Sequence, residues 1–123
     1  MDLQTYVEQA HLLICFTPRG GGHVDSALER LEERRRVGLR MPYVTLSPLV
    51  VADSDLVLTT ARWLAERAAS LVPLTLFEPP IELEPVELTM VWHERTHADP
   101  RLAWFRGVLE QISRAEGLVA ESG

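Results

Sequence analysis

The sequence predicts an α/β fold built on a mainly parallel sheet. Two observations carry this. Short apolar runs such as Leu12–Phe16, Leu56–Leu58 and Leu74–Phe77 are too brief for buried helices and suit strands. They alternate with stretches whose apolar residues recur at helical spacing, and glycine, proline or capping residues punctuate the joins. Strand–helix alternation of this kind brings successive strands side by side in parallel, with the helices packed on the sheet.

Each element has its own signal. Residues 2–9 read as a short amphipathic helix. Leu12–Phe16 is a strand buried on both faces, and Cys15 within it reads as a small buried hydrophobe. Thr17 to Gly22 is a loop. Residues 23–34 form a helix with Val24, Ala27, Leu28 and Leu31 on one stripe. Residues 36–41 alternate as a strand with one wet face, ended by Pro42. Ser47-Pro48 opens a short helix, with Ser47 as cap and Pro48 in the first turn. Leu56–Leu58 is a strand, Thr60 caps a helix over 61–69, and Leu74–Phe77 is a fourth strand. Residues 86–92 carry the clearest alternation in the chain: Val86, Leu88, Met90 and Trp92 against Glu87, Thr89 and Val91. Asp99-Pro100 then starts a helix to about residue 114, with Leu102, Phe105, Leu109 and Ile112 on its apolar stripe and Arg106, Glu110 and Arg114 on its wet side. Residues 115–123 read as a frayed tail.

Composition narrows the function. The chain has 123 residues, 46% of them hydrophobic, and a formal net charge of −6. That is one domain or part of one, with no basic field to recruit nucleic acid. Every basic residue is Arg, which reads as the codon usage of a GC-rich bacterial genome. The single cysteine forms no internal disulfide. No apolar stretch approaches a membrane span, and the start Met1-Asp2-Leu3-Gln4 is not a secretory leader, so a cytoplasmic location is expected.

Three motifs carry candidate chemistry. His93-Glu94-Arg95-Thr96-His97 spells H-E-x-x-H, and Glu116 stands where a third zinc ligand would be sought. That motif works when one helix puts both histidines on one face with the glutamate as general base. Here the strand pattern runs to Trp92 and a new helix starts at Asp99, so a strand end and turn are expected, with no metal. Gly20-Gly21-Gly22 lies between a strand and a helix start, where backbone N–H groups favour a carboxylate, helped by Arg19 or His23. Its spacing fits no nucleotide-binding loop. Arg34-Arg35-Arg36 reads as a solvated helix end. Trp63, Trp92 and Trp104 read as core or interface residues.

These stretches also occur in a familiar order. Tyr6–His11 before an apolar strand, the glycine loop ending in His23-Val24-Asp25, Arg35-Arg36-Val37, Met41-Pro42-Tyr43, Ser54-Asp55-Leu56-Val57, Arg62-Trp63-Leu64-Ala65, Leu88–Arg95, Asp99-Pro100 and Trp104-Phe105-Arg106 together resemble the effector-binding domain of LysR-type transcription regulators. The likeness is to the branch that regulates nodulation and aromatic degradation. It implies a periplasmic-binding-protein-like (type 2) fold of two α/β subdomains joined by crossover strands, with a small-molecule effector between them. On this resemblance residues 1–78 are the second subdomain, 79–85 the return crossover, 86–114 the last strand and helix of the first subdomain, and 115–123 a tail. The DNA-reading helix-turn-helix and most of the first subdomain are expected to be absent.

The resemblance places the effector against Thr17, Pro18, Arg19, Gly20, Gly21 and Gly22, and against Pro42, Tyr43, Val44 and Thr45. That branch often has histidine at the position of Tyr43. The expected effector is a small aromatic or carboxylic acid. The expected partners are that effector and a second copy of the chain, with no cofactor, no enzymatic activity, and DNA only through another domain. Two alternatives stand beside this reading: a zinc-dependent hydrolase using His93, Glu94 and His97, and a truncated protein that dimerises through its exposed apolar surface.

Overall fold

The structure, a computed structural model, describes residues 1–118. Its contacts divide the chain into two units, Met1–Pro85 and the part from Val86 onward.

The first unit is an open parallel sheet with helices on it. Helix α1 (Leu3–Glu8) starts where the Asp2 carboxylate accepts the Thr5 N–H at 2.7 Å. Strand β1 (Ala10–Ile14) follows, then helix α2 (His23–Arg30), strand β2 (Arg36–Met41), helix α3 (Ser47–Ala52), the two-residue strand β3 (Val57–Leu58) and helix α4 (Arg62–Ala69). The strand order is β2-β1-β3, with both pairings parallel. His11, Leu12 and Leu13 in the central strand are buried, as a strand covered on both faces requires. Tyr6 and Val7 of α1 pack with Val24, Ala27 and Leu28 of α2 and with Ile81 of the returning segment.

The β1–β2 register slips by one residue between His11 and Leu12, which leaves Gly38 as the extra residue opposite them. A Cβ on Gly38 would lie 3.2 Å from Leu56 Cδ2 and 3.3 Å from Ala10 Cβ, so a side chain at the bulge would have to push these neighbours back by a few tenths of an ångström.

Several boundaries differ from the sequence reading. Strand β1 starts at Ala10 and stops at Ile14, which leaves Cys15 half-buried and Phe16 77% exposed. Helix α2 stops at Arg30, because Glu32 adopts a left-handed φ of 58°, and Leu31 turns out to solvent. Ser47 is the first residue of α3, not its cap: Leu46 caps it, and the buried Ser47 hydroxyl donates to the Tyr43 carbonyl at 2.6 Å. Ala61 caps α4, and Thr60 makes no capping bond.

Neither Leu74–Phe77 nor 86–92 is a strand among the described residues. A strand exists by its ladder, and no described segment pairs with either. Val86, Leu88, Val91 and Trp92 are all exposed.

In the second unit a short 3-10 turn, Glu94–Thr96, leads to helix α5 (Pro100–Ala115). The Asp99 carboxylate accepts the N–H groups of Arg101 and Leu102, which is the expected cap. Leu102, Phe105, Leu109 and Ile112 form the expected stripe, and all four are exposed. Most of the expected tail, residues 119–123, lies outside the described residues.

Candidate ligand crevice

The topology itself marks a site. From β1 the chain passes through α2 to β2 on one side of the sheet, then returns to place β3 on the other. Such a switch opens a crevice at the carboxyl ends of the central strands, and this is where open parallel sheets hold ligands. Here the crevice is a cavity of about 180 Å³. Leu12, Leu13 and Ile14 come from β1, Gly22, His23 and Val24 from the start of α2, and Thr59 and Thr60 from the end of β3. Arg35 and Leu83 complete it.

One ion pair governs its electrostatics. Asp25 lies in the first turn of α2, and its Oδ2 accepts the Gly22 N–H at 2.8 Å. Arg35, just before β2, donates Nε to Asp25 Oδ1 at 2.8 Å and Nη2 to Oδ2 at 2.9 Å. The Arg35 side chain is 2% exposed and that of Asp25 25%. The two guanidinium hydrogen bonds hold the Asp25 carboxyl below its ordinary range, with the Gly22 N–H adding to them against the cost of burial.

Behind the crevice lies a second buried polar set. The Tyr6 hydroxyl and Thr59 Oγ1 are 2.7 Å apart. Burial raises the tyrosine's pKa. His11 is fully buried, with its ring edge-on to Tyr6 at 4.6 Å between centroids. His11 Nε2 lies 2.8 Å from the Tyr6 carbonyl, which only accepts, so Nε2 carries the proton. Nδ1 is then a bare acceptor, without a partner among the described residues. Burial lowers the His11 pKa.

Of the ten residues expected to bind the effector, one is in the crevice lining. Gly22 lines the crevice. Thr17 to Gly20 form a turn tied to β2 by Arg40, whose Nη1 donates to the Gly20 carbonyl at 3.0 Å. Pro42, Tyr43, Val44 and Thr45 are exposed, and Ser47 anchors this loop through the Tyr43 carbonyl.

Arg35, Thr59 and Thr60 are absent from the sequence expectation. Arg35 was hidden between the exposed Arg34 and Arg36. Its signal is an Asp in the first turn of the preceding helix. Thr59 and Thr60 were legible as the first polar residues after an apolar strand, at the end a switch point exposes.

The H-E-x-x-H letters build no helix. His93 Nδ1 accepts the Arg95 N–H at 3.0 Å, and His97 Nδ1 accepts the Trp92 indole N–H at 3.2 Å. The His97 ring is parallel to Trp92, and the Arg106 guanidinium sits 4.6 Å from the centre of the Trp92 ring. Arg106 also donates to the carbonyls of Thr96 and His97, so it clamps this turn and does not lie free on the wet face. No cluster of three or more potential metal ligands occurs among the described residues.

No protein-family model matches the chain. Individual proteins do. The chain is 34% identical over 105 residues to the HTH-type transcriptional regulator SyrM 1 of Sinorhizobium fredii, covering 85% of this chain and 31% of that protein. It is 27% identical over 112 residues to the HTH-type transcriptional activator NagR of a Ralstonia species, covering 91% and 37%. The regulatory domain of MexT, a transcriptional activator in Pseudomonas aeruginosa, superposes with a TM-score of 0.76 at 27% identity, covering 90% of this chain and 56% of that one. The chain belongs to the LysR-type regulators. It matches part of their effector-binding domain, and the hydrolase and truncated-interaction readings have no support. The LysR-type chain spans about a third of the length of these two relatives.

Proposed function

We propose that this LysR-type chain binds a small molecule in the crevice where β1, β3 and the start of α2 meet, as part of a transcription regulator. The observation that carries the reading is a cavity at the topological switch point of the sheet, with apolar walls and a few convergent polar groups. At about 180 Å³ it is below the roughly 300–1,000 Å³ of drug-sized sites, so the ligand or its inserted part is small. The loops Thr17–Gly22 and Pro42–Thr45 are proposed as further ligand contacts, and Gly22 among them lines the crevice.

In this reading residues 1–78 form one subdomain, 79–85 a crossover, and 86–114 an unpaired segment and a helix that would become the last strand and helix of the opposite subdomain once its strands are present. Ligand binding then biases how the subdomains are arranged, by its difference in affinity for the alternatives. The chain acts as a sensor without catalysis, as a homo-oligomer, in the compartment that holds the DNA. No helix among the described residues is long and apolar enough to cross a membrane.

A thermal-shift screen of single-ring aromatic compounds tests this. Binders should raise the melting temperature, and Gly22→Leu should abolish the effect, because a side chain there points at Leu13 Cδ1 only 3.2 Å from its Cβ. Equal stabilisation of the Gly22→Leu protein would contradict the crevice as the site.

A further inference from the structure

We propose that the crevice and a wider groove beside β3 form one continuous site for an amphipathic ligand, a compact hydrogen-bonding head that carries an uncharged hydrocarbon tail. The inference deepens the proposed function and rests on the crevice being the ligand site.

The crevice holds only the smaller part of such a ligand. Thr59, Thr60 and Leu83 line it, and the same three residues line the groove, whose volume is about 1,010 Å³. The two spaces meet at these residues, so a ligand that outgrows the crevice continues past Thr59 and Thr60. The two ends differ in chemistry. At the crevice end His23 and Val24 begin α2, and their backbone N–H groups have no acceptor among the described residues. The Thr59 hydroxyl stands 2.7 Å from that of Tyr6 and keeps capacity for a second hydrogen bond. Donors of this kind suit a carbonyl or carboxylate oxygen. The groove end is mainly apolar. Val57 and Leu58 of β3 line it, together with Leu74, Leu76 and Phe77 from the segment after α4. Leu76 is 47% and Phe77 59% exposed, so a hydrocarbon tail laid here would take apolar surface out of water. Of the charged residues in the groove, Arg62 and Glu78 satisfy each other at 2.6 Å. Glu66 also lines it and disfavours a second carboxylate on the tail.

Butanoate and octanoate share a head and differ in the length of the tail. Each is titrated into the full chain at pH 7, below the micelle concentration. The amide resonances of Gly22, Val24 and Thr59 report on the crevice, those of Leu74, Leu76 and Phe77 on the groove, and those of Leu102 and Phe105 on the exposed stripe of α5. Butanoate should move the crevice set alone, and octanoate both sets. Octanoate should bind roughly tenfold or more tightly than butanoate, since each buried CH₂ is worth about fourfold. Leu76→Glu should remove most of that advantage and leave butanoate unchanged. Octanoate binding no more tightly than butanoate, or moving the groove or α5 set without the crevice set, would overturn the continuous site. Butanoate moving the crevice amides in that case would keep the crevice as a ligand site. Failure of both probes to move the crevice set would overturn the crevice reading itself, and the continuous site with it. The wild-type ratio decides the matter even if Leu76→Glu does not fold, and a folded Leu76→Glu with an unchanged ratio would remove the groove as the seat of the tail.

Discussion

Replacing Arg35 by leucine would leave the Asp25 carboxylate beside α2 with only the Gly22 N–H to satisfy it. Breaking one partner of a buried pair costs about 3–5 kcal/mol, mostly because the other charge is left without compensation. Asp25 is a quarter exposed, so water recovers part of that and the loss should lie at the lower end, about 3 kcal/mol. Against a total stability of roughly 5–15 kcal/mol this is large. With a urea dependence of about 1 kcal/mol/M for a unit of this size, the midpoint should fall by about 3 M. The pH dependence has a definite sign. Asp25 has a folded pKa below its ordinary 3.8, so its contribution is complete above that value and is lost as pH falls through the lower folded pKa. Arg35→Leu should flatten this acid limb. Urea titrations followed by circular dichroism, run at neutral and acid pH, give both quantities. The double variant Asp25→Asn/Arg35→Leu should be more stable than the sum of the single losses implies, because neither charge is then stranded. A midpoint drop below about 0.5 M, or strict additivity, would refute the buried pair as an energetic unit.

Leu28→Ala, at a side chain 1% exposed, should cost about 2–5 kcal/mol, read from the same denaturation curves. His11 has a folded pKa below 6.5, so stability should be complete above that value and decline as pH falls; His11→Leu should lose this slope, and an NMR titration of the His11 ring should show a midpoint under 6.5. Asp99→Ala should lower helical ellipticity by fraying the start of α5 while leaving the melting of the β-sheet unit unchanged, since α5 buries none of its residues.

The layered logic of the first unit was legible because its signals are local. Apolar runs and the glycine loop each constrain only a few residues, as does the Asp99-Pro100 cap in the second unit. The strand reading of 86–92 failed for the opposite reason: alternation reports which faces a strand would present, and a ladder needs a second strand that no described segment supplies. Leu74–Phe77 failed in the same way. The crevice was half legible. Its glycine loop was visible, but Asp25 and Arg35 are ten positions apart, and only folding shows that the middle arginine of three turns inward.

The central claim is that the switch-point crevice is the ligand site. Chemical-shift mapping of the isotopically labelled chain during a benzamide titration tests it most directly. The account predicts that the largest movements fall on Gly22, Val24, Thr59 and Thr60, around the crevice. A second, wider groove of about 1,010 Å³ runs past β3 along Leu74, Leu76 and Phe77. Movements concentrated there, with the crevice amides unmoved, would contradict the account.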